Sequence, residues 1–304
     1  MSICIASCSL GSSNTGIPSG AKPFGVPVAM VVVPLYAEDG TANQIDLSTV
    51  TFNQAYLDAL INQSDASKRW YPIIGLENVE SVKAENIFET FNSGNTQLIA
   101  EGVRNFTSIL PGKPHEYLKQ IKNFSCQSIG VYLVDDCGNF LGSHRVDGFL
   151  KPLRIARNSW STILQWATDT TGQNITLAFN FDKSERDDEM RMILSASISA
   201  DLDAIDGLID VTLANDVLSI ADDTLAFDAE TLYGNVLSPI KYEALVLADF
   251  TCLLNAGAET IVSVTETDGS YVLQLTSDIL ALDETVLSVS KDGIYVTAIT
   301  TIAS

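Results

Sequence analysis

Residues 77–109 read ENVESVKAENIFETFNSGNTQLIAEGVRNFTSI. The stretch predicts one long β-hairpin. Ile87, Phe88, Thr90 and Phe91 run into Asn92-Ser93-Gly94-Asn95, turn formers around a glycine that reaches positive φ at little cost. Thr96 to Phe106 returns with Leu98, Ile99, Val103 and Phe106. Each arm of about 10 residues spans roughly 33 Å, against a usual strand length of ~5–6 residues. Lys83, Glu85, Glu89, Glu101 and Arg104 interrupt the arms. Long half-polar strands suit a sheet with one face on a core and the other facing water or a neighbouring subunit.

Around the hairpin, short apolar segments alternate with turns. Residues 1–27 are rich in Ser, Gly and Pro and read as an extended arm. VAMVVVPLY (28–36) is a buried strand candidate, which Pro34 is expected to confine to an edge or a bulge. Phe52 to Ile61 places Phe52, Ala55, Tyr56, Ala59 and Leu60 on one helical face. His115 to Phe124 is a second amphipathic helix. Strands follow at 129–134, 140–141, 149–155, 161–167 and 174–182. Ser184-Glu185-Arg186-Asp187 resembles a capping box opening a short helix through Ile193.

The composition shifts near Ala196. Residues 201–304 hold 18 acidic residues against Lys241 and Lys291, a net −16, whereas the first 200 residues carry a net −5. So acidic a surface repels nucleic acid and anionic membranes and favours solubility. Short strands recur at 208–213, 217–220, 224–227, 244–247, 260–265, 271–275, 286–289 and 294–299. Asp268-Gly269 and Asp292-Gly293 serve as hairpin turns. The pattern predicts an immunoglobulin-like (Ig-like) sandwich over 196–304, though without a Cys-Trp-Cys core signature.

The chemistry of catalysis is not evident. No phosphate loop, HExxH or nucleophile elbow occurs. Cys4, Cys8, Cys126, Cys137 and Cys252 show no CxxC spacing and no disulfide framework. With His115 and His144 they give no recognisable zinc spacing. Asp201, Asp203, Asp206 and Asp210 imitate a calcium loop, but Ile205 and Thr212 replace required oxygen ligands. Ile5-Ala6-Ser7-Cys8 imitates a lipoprotein cleavage box, yet no basic residue precedes it, so no signal peptide is expected. Folding in a reducing cytoplasm, no membrane span, no cofactor and no enzymatic activity are the expectations. Arg145, Lys151, Arg154 and Arg157, followed by Trp160 and Trp166, form the one basic cluster. Docking onto an acidic surface of another copy, within 201–230, is the preferred reading of it.

The order of NIFETFNSGNTQLIAEGVRNF, EYLKQIKNF, VYLVDDCGNFLG and QNITLAFNFD resembles virion proteins of tailed bacteriophages, most nearly the tail tube or tube-like ring proteins. The resemblance spans about Val26 to Leu194 and rests on topology rather than on an invariant motif. It implies a mainly β fold: a tail-tube-like β-barrel or sandwich over 28–195 with two or three short helices, plus the Ig-like domain. It further implies self-assembly into stacked, hexameric rings, contacts with other virion proteins, and DNA as non-specific cargo in a lumen. The chain would be made in the host bacterial cytoplasm and reside in the virion. Glu85, Glu89, Glu101 and Arg104 are then the lumen or subunit-seam candidates. Head decoration, neck or fibre attachment, and a carbohydrate- or cell-surface-binding module using Trp160 and Trp166, are the alternatives.

Overall fold

Strands β1 (Pro27–Pro34) and β8 (Ile129–Asp135) are almost continuously apolar, and their alternate side chains go to opposite faces. Met30, Val32, Val131 and Leu133 enter one core. Val31, Val33, Tyr132 and Val134 enter another. A sheet apolar on both faces must be covered on both. A computed structural model, which describes residues 16–17, 21–146, 148–202, 205–235 and 237–303, shows how. Most of the expected N-terminal arm lies outside the described residues.

In chain order β1 is followed by β2 (Ile45–Asp46), α1 (Gln54–Ile61), β3 (Tyr71–Ile74), β4 (Glu77–Lys83), β5 (Ile87–Thr90), β6 (Thr96–Ala100), β7 (Arg104–Pro111) and α2 (His115–Lys122). After β8 come β9 (Phe140–Ser143), β10 (Phe149–Leu150), β11 (Leu153–Arg154), β12 (Ser161–Gln165), β13 (Asn174–Asn180) and β14 (Met190–Ile193). The central sheet runs β14-β9-β8-β1-β3, with β11 also on β8. A second sheet, β12-β13-β7-β4, covers one face. Phe179 stacks there on Phe106 and Trp160, at ring distances of 4.8 and 5.4 Å. Helix α1 covers the other face through Leu57 and Ile61, beside Trp70, Tyr132 and Phe140. Its N-terminus is capped by Asn53, whose Oδ1 accepts from the Tyr56 N–H.

Two expectations change here. β1 is not an edge strand. It pairs with β3 through Ala29–Val32 and with β8 through Pro34. Pro34 closes the strand beyond the β3 ladder, where its missing N–H breaks nothing. The helix expected from Ser184 does not form. Arg186 is extended, a 3-10 turn covers Asp187–Glu189, and Met190–Ile193 instead pairs along β9. Beyond the composition shift at Ala196, Leu202 and Ile205 are buried beside Phe52 and Trp70.

The second unit comprises β15 (Ile209–Ser219), β16 (Thr224–Asn235), β17 (Ser238–Lys241), β18 (Phe250–Leu254), β19 (Gly257–Glu259), β20 (Ile261–Thr267), β21 (Ser270–Leu275), β22 (Glu284–Val289), β23 (Ile294–Val296) and β24 (Ile299–Ile302). The sheets β20-β21-β16-β15-β23 and β19-β18-β22-β24 enclose a separate core centred on Tyr271, Phe227 and Phe250. Residues 244–247, expected as a strand, form none: 244–246 are irregular and Leu247 opens a 3-10 turn to Asp249. The chain is thus mainly β, with two α-helices among its described residues. No helix among these is long and apolar enough to cross a membrane.

A polar clamp ties β15, β16, β17 and β21 together. Lys241 pairs with Asp228 at 2.8 Å, while Ser270 and Asn215 also donate to that carboxylate. These hydrogen bonds hold the Asp228 carboxyl down to about 2, from 3.8. A lowered acid stabilises the fold fully above its ordinary value, and that stability is lost as pH falls towards the folded value. Asp228→Asn should therefore cost about 1–2 kcal/mol at neutral pH, a figure discounted for partial exposure. The difference from the parent protein should disappear near pH 2. Urea denaturation at both pH values measures it, and a pH-independent difference would refute the ionic origin.

Candidate assembly interface

The stretch 77–109 folds back on itself in two tiers. Near the body, β4 pairs antiparallel with β7 from Lys83↔Arg104 to Glu77↔Ile109, with a register shift between Glu77 and Glu80. Beyond it, β5 and β6 form their own two-stranded ladder, with Phe88↔Leu98, Glu89↔Gln97 and Thr90↔Thr96 as partners. The turn lies at residues 91–95, where Phe91 N–H donates to Asn95 O and Gly94 takes φ +83°. The break between tiers falls at residues 84–86 and 101–103. There Ala84 N–H donates to Val103 O, and Gly102 N–H donates to Asn86 Oδ1.

Gly102 makes this joint. A Cβ at that position would lie 1.7 Å from the Ala84 carbonyl oxygen. The obstacle is backbone, so the tiers must separate to admit any side chain. Gly102→Ala is expected to abolish amide protection across 87–100 while β7 and β13 stay protected, read by hydrogen–deuterium exchange. Unchanged protection in the outer tier would contradict this account.

The outer tier buries neither face. Ile87 and Phe88 are each 59% exposed, and Phe91, Leu98 and Ile99 are exposed as well. Phe88 and Leu98 oppose each other on one face, and Ile87 and Ile99 lie on the other. Each strand pairs only with its partner among the described strands, which leaves both outer backbone edges open. An isolated hairpin of this kind is marginal in water, and open apolar edges recruit other strands.

The charged candidates divide at the joint. Glu101 and Arg104 belong to an ion-pair set at its base: Lys83 lies 3.4 Å from Glu101 and 3.0 Å from Asp187, and Arg104 lies 3.1 Å from Asp187. Burial tends to raise the Asp187 carboxyl, but hydrogen bonds from Lys83 and Arg104 outweigh it and hold the carboxyl below its ordinary value. Sequence inspection missed Lys83 and Asp187 as partners because they are 104 positions apart. Glu85 and Glu89 are exposed, with no ion pair among the described residues. They are the two acids of the set without an ion pair among the described residues.

Of the expected basic docking patch, Arg145 is ion-paired within its own chain. Arg145 Nε lies 3.0 Å from Glu189 Oε2. Hydrogen bonds from Ser184 lower the Asp182 carboxyl, helped by the nearby charges of Arg154 and Arg145. Burial raises Glu185 against those same two arginines. Arg145 and Arg154 thus lie close to the acidic turn 182–189 of their own chain. Lys151 is fixed through its backbone to Ser143, and Arg157 sits exposed in a turn. Trp160 is core, its Nε1 donating to Ile121 O at 2.9 Å, whereas Trp166 is 72% exposed. The two tryptophans therefore do not form one glycan platform.

Among the described residues no metal arrangement stands out beyond a turn clamp. Asp135, Asp136 and Cys137 lie close together, but the two Asp135 oxygens already accept from Gly25, Cys137 and both nitrogens of Asn139. Of the imitation calcium loop, Asp203 lies outside the described residues, and the Asp210 carboxylate accepts from Gln120. No protein-family model matches this chain, and no curated protein matches it.

Proposed function

We propose that this protein is a non-enzymatic structural protein that assembles with copies of itself through the β5–β6 tier. The observation that carries this reading is a two-stranded tier with apolar residues exposed on both faces and both backbone edges open. Strand addition from neighbouring copies satisfies those edges and covers Ile87, Phe88, Leu98 and Ile99 in one step. The resemblance to tail tube proteins supplies the arrangement: stacked rings, with the first unit as a tube-like barrel or sandwich and the second as an Ig-like domain outside. Glu85 and Glu89 then face a lumen through which DNA passes without adhering, since like charges repel. The protein would reside in a virion beside other virion proteins.

The test is the shape and mass of the full-length protein at high concentration. Negative-stain images and sedimentation velocity should show rings or tubes. A species that stays strictly monomeric across the concentration range would remove the proposal.

A further inference from the structure

A crevice of about 410 Å³ separates the two units, in the size range of small-molecule sites, which favour domain junctions. Tyr71 and Tyr117 line it from the first unit, and Tyr233 and Tyr295 from the second. Four tyrosines around one opening offer flat apolar rings with polar rims. Two of them are already faced by protein cations: Lys113 lies 5.7 Å from the Tyr117 ring centroid, and Arg69 lies 4.5 Å from that of Tyr295. That disfavours a cationic ligand and leaves Tyr71 and Tyr233, one on each unit, as platforms.

The polar groups narrow the ligand further. Arg69 is 6% exposed, donates to the Gln63 and Ser64 carbonyls, and has no carboxylate within 4.0 Å among the described residues. Its fork retains donors beyond those two bonds. The Asn123 and Gln127 amides also line the crevice, with no side-chain hydrogen bond among the described residues. Arg69 and Lys113 balance Asp206 and Asp210, so the wall carries no net charge to select a polyanion. Aromatic platforms, spare amides, a spare guanidinium fork and balanced charge fit a neutral polyhydroxylated ring.

We infer that this crevice binds a neutral saccharide, with its apolar ring face on Tyr71 or Tyr233 and its hydroxyls on Arg69, Asn123, Gln127 and Asp206. The inference does not depend on self-assembly. Maltohexaose and chitohexaose are the probes, titrated into full-length protein and followed by saturation-transfer NMR and calorimetry. At least one should bind, and Tyr233→Ala and Asp206→Ala should each weaken it by about tenfold or more. Trp166→Ala, at a residue that does not line the crevice, should leave binding unchanged. Binding should persist in an assembly-defective Phe88→Lys/Leu98→Lys variant. Failure of both oligosaccharides to bind overturns the inference. So does binding that Trp166→Ala removes, that only assembled protein shows, or that Tyr233→Ala and Asp206→Ala leave intact while the fold is retained.

Discussion

Phe88→Lys combined with Leu98→Lys should convert assembled protein to monomer while leaving its melting temperature, compared at a dilution where the parent is also monomeric, within a few degrees of the parent. The two residues oppose each other across the outer tier, and both are exposed within a single chain. Neither belongs to a buried core, so their replacement leaves the cores of both units intact. In an assembly they would be central apolar anchors, and truncating such anchors costs ~2–4 kcal/mol each. Lysine adds the penalty of burying an ammonium group at a seam. The association constant should fall by about a thousandfold or more per contact, because every 1.4 kcal/mol is about tenfold. Val217→Lys, at a residue also 59% exposed but on the second unit, is the control and should leave assembly intact. Sedimentation velocity and thermal melts read both quantities. If the double variant still assembles, the seam lies elsewhere; if its melting temperature collapses, the tier is packed within the monomer.

Elements with strong local patterning were legible in the sequence. VAMVVVPLY and IGVYLVD carry apolar side chains on both faces, and both are buried strands. The turn at 91–95 follows from one glycine among turn formers. The break in the long hairpin was not legible, because it depends on how closely Gly102 approaches Ala84 across the ladder. The capping box at Ser184 offered a helix its first turn, yet an open edge on β9 offered Met190–Ile193 a complete ladder, and the ladder prevailed. The ion pair of Arg145 was not legible, because its partner Glu189 lies 44 positions away. The crevice draws its tyrosines from positions 71, 117, 233 and 295, a grouping no local pattern encodes.

Phe179→Ala should lower one of two thermal transitions and leave the other in place. Phe179 is 2% exposed between Phe106 and Trp160, and removing such a ring costs ~3–5 kcal/mol. That is a large share of an ordinary domain stability of ~5–15 kcal/mol. The second unit's core shares no residue with it. Between the units run the Gln120 contacts to Asp210 and Tyr233, the Asn62 contact to Gly293, and the Arg69–Tyr295 stack. Such polar contacts contribute ~0.5–1.5 kcal/mol each, less than either apolar core, so the two cores should melt separately. Leu202→Ala locates the boundary. Composition assigns Leu202 to the acidic second unit, but its side chain is buried in the core beside Phe52 and Trp70. Its loss, ~2–5 kcal/mol, should therefore depress the same transition as Phe179→Ala. Calorimetry of the two variants decides the matter. A Leu202→Ala effect on the opposite transition would return the boundary to Ala196, and one transition moving as a whole in both would mean that the junction couples the cores.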